Sequence, residues 1–133
     1  MRKWLKKSGL ILSVALGISL IGQFAYAQTP IYYDCRLPEQ GYTTTSNVTK
    51  TNKNSYADNT ITYFGWKGSG VDWWLCDMDG NRITVTGNFT DVGASRIHYM
   101  NGGDQYYYHT TYAKIKTDGN TWNECDVAGK IWP

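Results

Sequence analysis

Few side chains in this sequence are equipped for covalent chemistry, and their spacing assembles none of the common catalytic sets. The nucleophile and ligand candidates are Cys35, Cys76 and Cys125, with His98 and His109 as the two histidines. The cysteines are separated by about 40 and 49 residues, so none belongs to a short chelating pair of the kind that holds zinc. Cys76 sits in the apolar run Trp73-Trp74-Leu75-Cys76, and the charges nearest to it in sequence, Asp72, Asp77 and Asp79, oppose a thiolate. Neither histidine has an acidic residue at a spacing that would orient it as a general base. Asp77 and Asp79 flank a turn, where aspartate is expected, and lack the further ligands of a calcium loop. The expectation is a protein with no catalytic residues, metal or cofactor.

The residues that could bind rather than react are aromatic. After the first 27 residues the chain carries five Trp, ten Tyr and two Phe. Read as a strand, the segment around Tyr106-Tyr107-Tyr108 places 106, 108 and 112 on one face and Tyr107 with His109 on the other. Trp73 and Trp74 likewise point to opposite faces, which puts Trp73 inside with Leu75 and Trp74 outside near Trp66. Trp66, Trp74, Tyr107 and His109 are therefore the candidate binding surface, for sugar rings or a protein partner. The competing role for the same tyrosines is to pair across strands and stiffen a sheet.

The elements that would position these residues read as short strands between turns. Ile31 to Arg36 is a first strand, and a polar, Thr-rich stretch follows from Tyr42 to Thr51. Asn59 to Trp66 alternates, with Ile61 and Tyr63 on one face and Thr60, Thr62 and Phe64 on the other. Val71 to Met78 and Arg82 to Phe89 flank Asp79-Gly80, a strong tight-turn signal. Asn101-Gly102-Gly103 suggests a second hairpin between Ala94–Met100 and Asp104–Ile115, and Trp122 to Trp132 is the last strand. Helical periodicity is absent after the N-terminal segment. The expected fold is all-β, a small antiparallel β-sandwich or barrel built from hairpins.

That N-terminal segment has the pattern of a helical signal peptide. Arg2, Lys3, Lys6 and Lys7 precede an apolar stretch from Leu10 to Ile21, and Ala25-Tyr26-Ala27 supplies a small-x-small cleavage site. The organisation expected is signal peptide 1–27 and a single secreted domain 28–133, extracellular and without a stable membrane anchor. Of 13 Lys and Arg, four leave with the signal, so nine face 11 Asp and Glu, a balance of −2. The remaining cations are scattered singly in sequence, which argues against nucleic acid as a partner.

An oxidising compartment also permits a disulfide. Three cysteines allow three single pairings, and the reading favoured is Cys35–Cys125 with Cys76 buried as a small hydrophobe. Closing a loop of about 90 residues would contribute roughly 4–5 kcal/mol in the chain-entropy model.

Several motifs occur in the order of a known family: Trp73-Trp74-Leu75, Asp79-Gly80-Asn81-Arg82-Ile83-Thr84, Tyr107 to Ala113, and Val127-Ala128-Gly129-Lys130-Ile131-Trp132. Over residues 60–132 the chain resembles the domain of unknown function 2712 family, small secreted proteins of Gram-positive bacteria. The cysteines depart from that family's pattern. The resemblance implies a β-rich exported protein encoded near bacteriocin-type export systems, with no known active site. Tyr33-Asp34-Cys35, Ser95, Tyr99 and Cys125 are similar to features of the periplasmic C-type lysozyme inhibitors, small barrels tied by a terminal disulfide. The function expected is a secreted, non-catalytic, bacteriocin-like protein binding a cell-envelope component. The alternatives are a secreted inhibitor of a hydrolase such as lysozyme, or a carbohydrate-binding module.

Overall fold

The computed structural model describes residues 28–65, 70–119 and 124–133, so the signal segment and Trp66 lie outside the described residues. Nine strands are formed there: β1 (Ile31–Leu37), β2 (Tyr42–Thr44), β3 (Val48–Thr49), β4 (Tyr56–Phe64), β5 (Val71–Cys76), β6 (Gly87–Phe89), β7 (Gly93–His98), β8 (Thr110–Thr117) and β9 (Cys125–Trp132). All pairings are antiparallel. One sheet has the order β1-β9-β4-β7 and the other β2-β8-β5-β6, with β3 also pairing β8. The two pack as a sandwich, as the alternating strands predict. No helix among the described residues is long and apolar enough to cross a membrane.

Alternation decides which side of each strand meets the other sheet. From the second sheet, Val71, Trp73 and Leu75 of β5 and Ala113 and Ile115 of β8 enter the core. From the first, Ile31 and Leu37 of β1, Val127 and Ile131 of β9 and Ile97 of β7 meet them. Trp73 is fully buried, and its indole N–H donates to Ser95 Oγ at 3.0 Å, so its one polar atom is satisfied across the sandwich. A small polar bridge crosses the first sheet: Tyr33 Oη donates to Asn59 Oδ1 at 2.9 Å. It passes over Gly129, where an added Cβ would stand 2.5 Å from the Tyr33 hydroxyl.

Three sequence expectations fail for local physical reasons. A bulge shifts the β4–β9 register between Ile61 and Tyr63 and reverses the parity of the strand. Phe64 therefore enters the core beside Phe89, at 5.9 Å between ring centroids, and Tyr63 is exposed. The Asp79-Gly80 turn forms, with Gly80 at φ 85° and Asp77 Oδ1 accepting from the N–H groups of Asp79 and Asn81. Its return arm is broken, however, because the Leu75 N–H bonds the Thr84 hydroxyl at 3.0 Å instead of a facing carbonyl. Residues 82–86 then pass toward β7, with a bridge from Thr84 to Tyr99, before β6 rejoins β5.

The third failure is the expected hairpin at Asn101-Gly102-Gly103. β7 lies in one sheet and β8 in the other, so the link crosses the sandwich. Gly103 presses on the 50–55 segment so closely that a Cβ there would overlap the Asn54 carbonyl.

Candidate functional site

Tyr107 and His109, expected on one face of a strand, lie in that crossing link. Asp104–Tyr106 makes one 3-10 turn, and Tyr108 takes φ 62°, a left-handed conformation uncommon for a bulky residue. Two backbone bonds hold it: the Tyr108 N–H donates to Lys50 O at 2.8 Å, and the Lys50 N–H donates to His109 O at 2.9 Å. The aromatic rings then collect around the Lys50 side chain, which is fully buried. Its ammonium donates to Asn52 Oδ1 at 2.6 Å and lies 4.6 Å from the centre of the Tyr99 ring. Tyr99 stacks on Tyr106 at 5.4 Å, and Tyr106 meets His109 edge-on at 6.3 Å. Burial pushes the Lys50 ammonium down to about 8, partly opposed by the Asp104 charge. Tyr107 is half-buried between Lys53 and Tyr108, and Tyr108 is the ring that solvent reaches. This cluster fastens the link to the 50–55 segment.

Trp74 points outward from the second sheet, as expected, but it is only 9% exposed. The Arg82 guanidinium covers its ring at 4.5 Å and is held there by a 2.7 Å bond from Nη1 to Thr86 Oγ1. Cys76, on the same face, is 1% exposed. Sequence proximity suggested that its charged neighbours would be aspartates, yet the charges lowering its pKa come from Lys114 and Arg82. Burial outweighs them, and the thiol is pushed up. Trp74 thus lies on the second sheet while Tyr107 and His109 lie in the crossing link, and Trp66 is outside the described residues.

Cys35 and Cys125 come close without joining. The β1–β9 register pairs Cys35 with Val127 and Leu37 with Cys125, which makes the two cysteines diagonal neighbours. No disulfide is formed in the structure, contrary to the expected pairing. Diagonal neighbours in an antiparallel pair stand about 7–8 Å apart between Cα atoms, beyond the roughly 4.4–6.8 Å that a disulfide usually spans.

A concave site absent from the predicted set opens where the sandwich edges meet. β1 is the outermost strand of one sheet and β2 of the other, and between them lies a half-open cleft of about 210 Å³. Tyr32, Tyr33, Asp34 and Cys35 line one wall, and Thr43, Thr44, Thr45 and Ser46 line the other. Tyr32 is 64% exposed, with the Lys130 ammonium 5.4 Å from its ring centre. The Thr45 hydroxyl is committed to the fold, accepting from the Ala113 N–H at 2.9 Å and donating to Ser46 O at 3.1 Å. Asp34, Thr43, Thr44 and Ser46 are further polar residues of the lining. The lining thus combines an exposed tyrosine with an acidic residue and four Thr and Ser hydroxyl residues. The sequence signal for it was the polar, Thr-rich stretch from Tyr42 to Thr51, which takes a fixed shape where β2 pairs with β8.

No family model matches the chain, and no curated protein matches it in sequence. Among solved structures, the chain is similar to the CBM36-1 domain of a multidomain xylanase from the hindgut metagenome of Trinervitermes trinervoides, at 8% identity and a TM-score of 0.47, over 80% of this chain and 97% of that one.

Proposed function

We propose that this protein is a secreted, non-catalytic module that binds a cell-envelope glycan in the cleft between β1 and β2. The observation that carries the reading is the chemistry of the cleft walls. A sugar presents an apolar face of C–H groups and a rim of hydroxyls. Tyr32 offers a ring for the first, and Asp34 with Thr43, Thr44 and Ser46 offers acceptors and donors for the second. Carbohydrate binding is preferred to the bacteriocin-like and lysozyme-inhibitor roles because it uses these groups directly. The signal-like segment at residues 1–27 supports an extracellular site of action.

The test is retention of the protein on purified cell-wall sacculi. Tyr32→Ala and Asp34→Asn should each weaken retention by about 1 kcal/mol or more. Both side chains are exposed, so melting temperature should change little. Unaltered retention in both variants would remove the cleft from the function.

A further inference from the structure

Cations lie on aromatic rings on both outer faces of the sandwich; on the first sheet Arg96 is 3.8 Å from the Tyr56 ring centre and Lys130 is 5.4 Å from that of Tyr32. On the first sheet, Arg36 is paired with Asp126 and Glu124, and Arg96 with Asp58, each arginine within 3.5 Å of a carboxylate. On the second sheet, Lys114 and Arg82 also lie on aromatic rings. The Lys114 ammonium is 4.5 Å from the Tyr42 ring centre, and Arg82 is 4.5 Å from that of Trp74. Neither Arg82 nor Lys114 makes an ion pair among the described residues. Because Trp74 faces Lys114 directly across β5 and β8, the order across the sheet is Tyr42, Lys114, Trp74, Arg82: ring, cation, ring, cation. Lys116 adds a third cation between Tyr42 and Asp72. Residues scattered singly in sequence are thus gathered by strand pairing into one basic, aromatic strip.

The strip is continuous with the cleft. Thr44 lines the cleft and also stands opposite Lys114 in the β2–β8 ladder. A polymer seated between β1 and β2 therefore crosses β2 directly onto the strip. We infer that the ligand is an anionic glycan, whose neutral sugar occupies the cleft while a neighbouring carboxylate or phosphate lies against Lys114 and Arg82. This inference rests on the glycan-binding reading above and adds the charge of the ligand and its path.

The surroundings select sparse charge. Asp34 in the cleft repels an anionic sugar and accepts from a neutral one. Asp72 and Asp118, joined through Asn88 at 2.9 Å each, bound the strip at one end. The Asp77–Asn81 turn, packed near the Tyr112 hydroxyl, bounds it at the other. A polymer with a charge on every unit would meet these carboxylates, and Arg82 covers the Trp74 ring. The carboxylates at both ends favour a glycan over a single-stranded nucleic acid, which needs a continuous basic groove.

The experiment measures binding to Gram-positive sacculi before and after acid extraction of their phosphate-containing polymers, with single-stranded oligothymidylate as a separate probe. The expected result is retention on both wall preparations, about tenfold tighter on the unextracted one. That difference should fall with added salt and disappear in the Arg82→Gln/Lys114→Gln double variant, whose melting curve checks that it is folded. Equal binding to both preparations, or a difference that survives the double substitution in a folded protein, overturns the inference while leaving the neutral cleft reading intact. Tighter binding to the oligonucleotide than to walls overturns it in favour of nucleic acid. Binding to neither preparation removes the glycan reading and the inference together.

Discussion

Lys50 shows how a single residue can couple this fold to pH. Its side chain is fully buried, and burial lowers its pKa from an ordinary 10.5 to about 8. Between these values the unfolded chain holds the proton more tightly than the native one, so stability from this group rises with pH and is lost as pH falls through about 8. Tyr33 and Tyr99 act with the opposite sign. Burial raises both phenols above 10, so the native state retains protons that the unfolded state releases, and stability falls at higher pH. Chemical denaturation as a function of pH should therefore show stability rising from pH 8 toward 10 and declining above it. Lys50→Met should remove the rise and keep the decline; a profile flat through this range in the parent protein would contradict the assignment. At the same scale, Tyr107→Ala should cost less than about 1 kcal/mol of stability. Tyr107 is half-buried against Lys53 and Tyr108, outside the core. Trp73→Ala should cost roughly 3–5 kcal/mol, and thermal melting separates the two.

Element by element, the sequence was legible wherever one residue's parity set the outcome. Val71, Trp73 and Leu75 faced inward as alternation required, and the first strand matched to within one residue. It was illegible where backbone groups of distant segments intervened. The bulge at Ile61–Tyr63 reverses Phe64 because β9 sets the register there. The Tyr106–His109 segment is no strand because Lys50 takes its hydrogen bonds. The cleft was hidden for a similar reason: its walls come from edge strands of different sheets, and only β2 pairing with β8 gives the Thr-rich stretch a fixed shape. Trp74 was placed on the correct face, but its cover, Arg82, depends on the irregular return after the Asp79-Gly80 turn. Close packing at β9 gives a further prediction. Gly129→Ala would set a methyl 2.5 Å from both the Tyr33 hydroxyl and the Thr60 carbonyl, and should destabilise by about 1–3 kcal/mol in denaturant unfolding. An unchanged midpoint would mean that the Tyr33–Asn59 bridge moves aside at no cost.

At the scale of the whole molecule, the β-sandwich places an open cleft beside a basic, aromatic strip, behind an N-terminal segment with the pattern of an export signal. Export predicts that cells expressing the full chain release a product whose N-terminus is Gln28; recovery of the uncut chain in the membrane fraction would contradict it. The central claim is that the cleft between β1 and β2 holds sugar. The most direct measurement is an amide NMR titration of the folded protein with soluble fragments released from cell walls. Binding in the cleft should shift the amides of Tyr32 to Cys35 and Thr43 to Ser46 in a saturable way. Shifts confined to the Tyr106–His109 link, or no saturable shift at all, would contradict it.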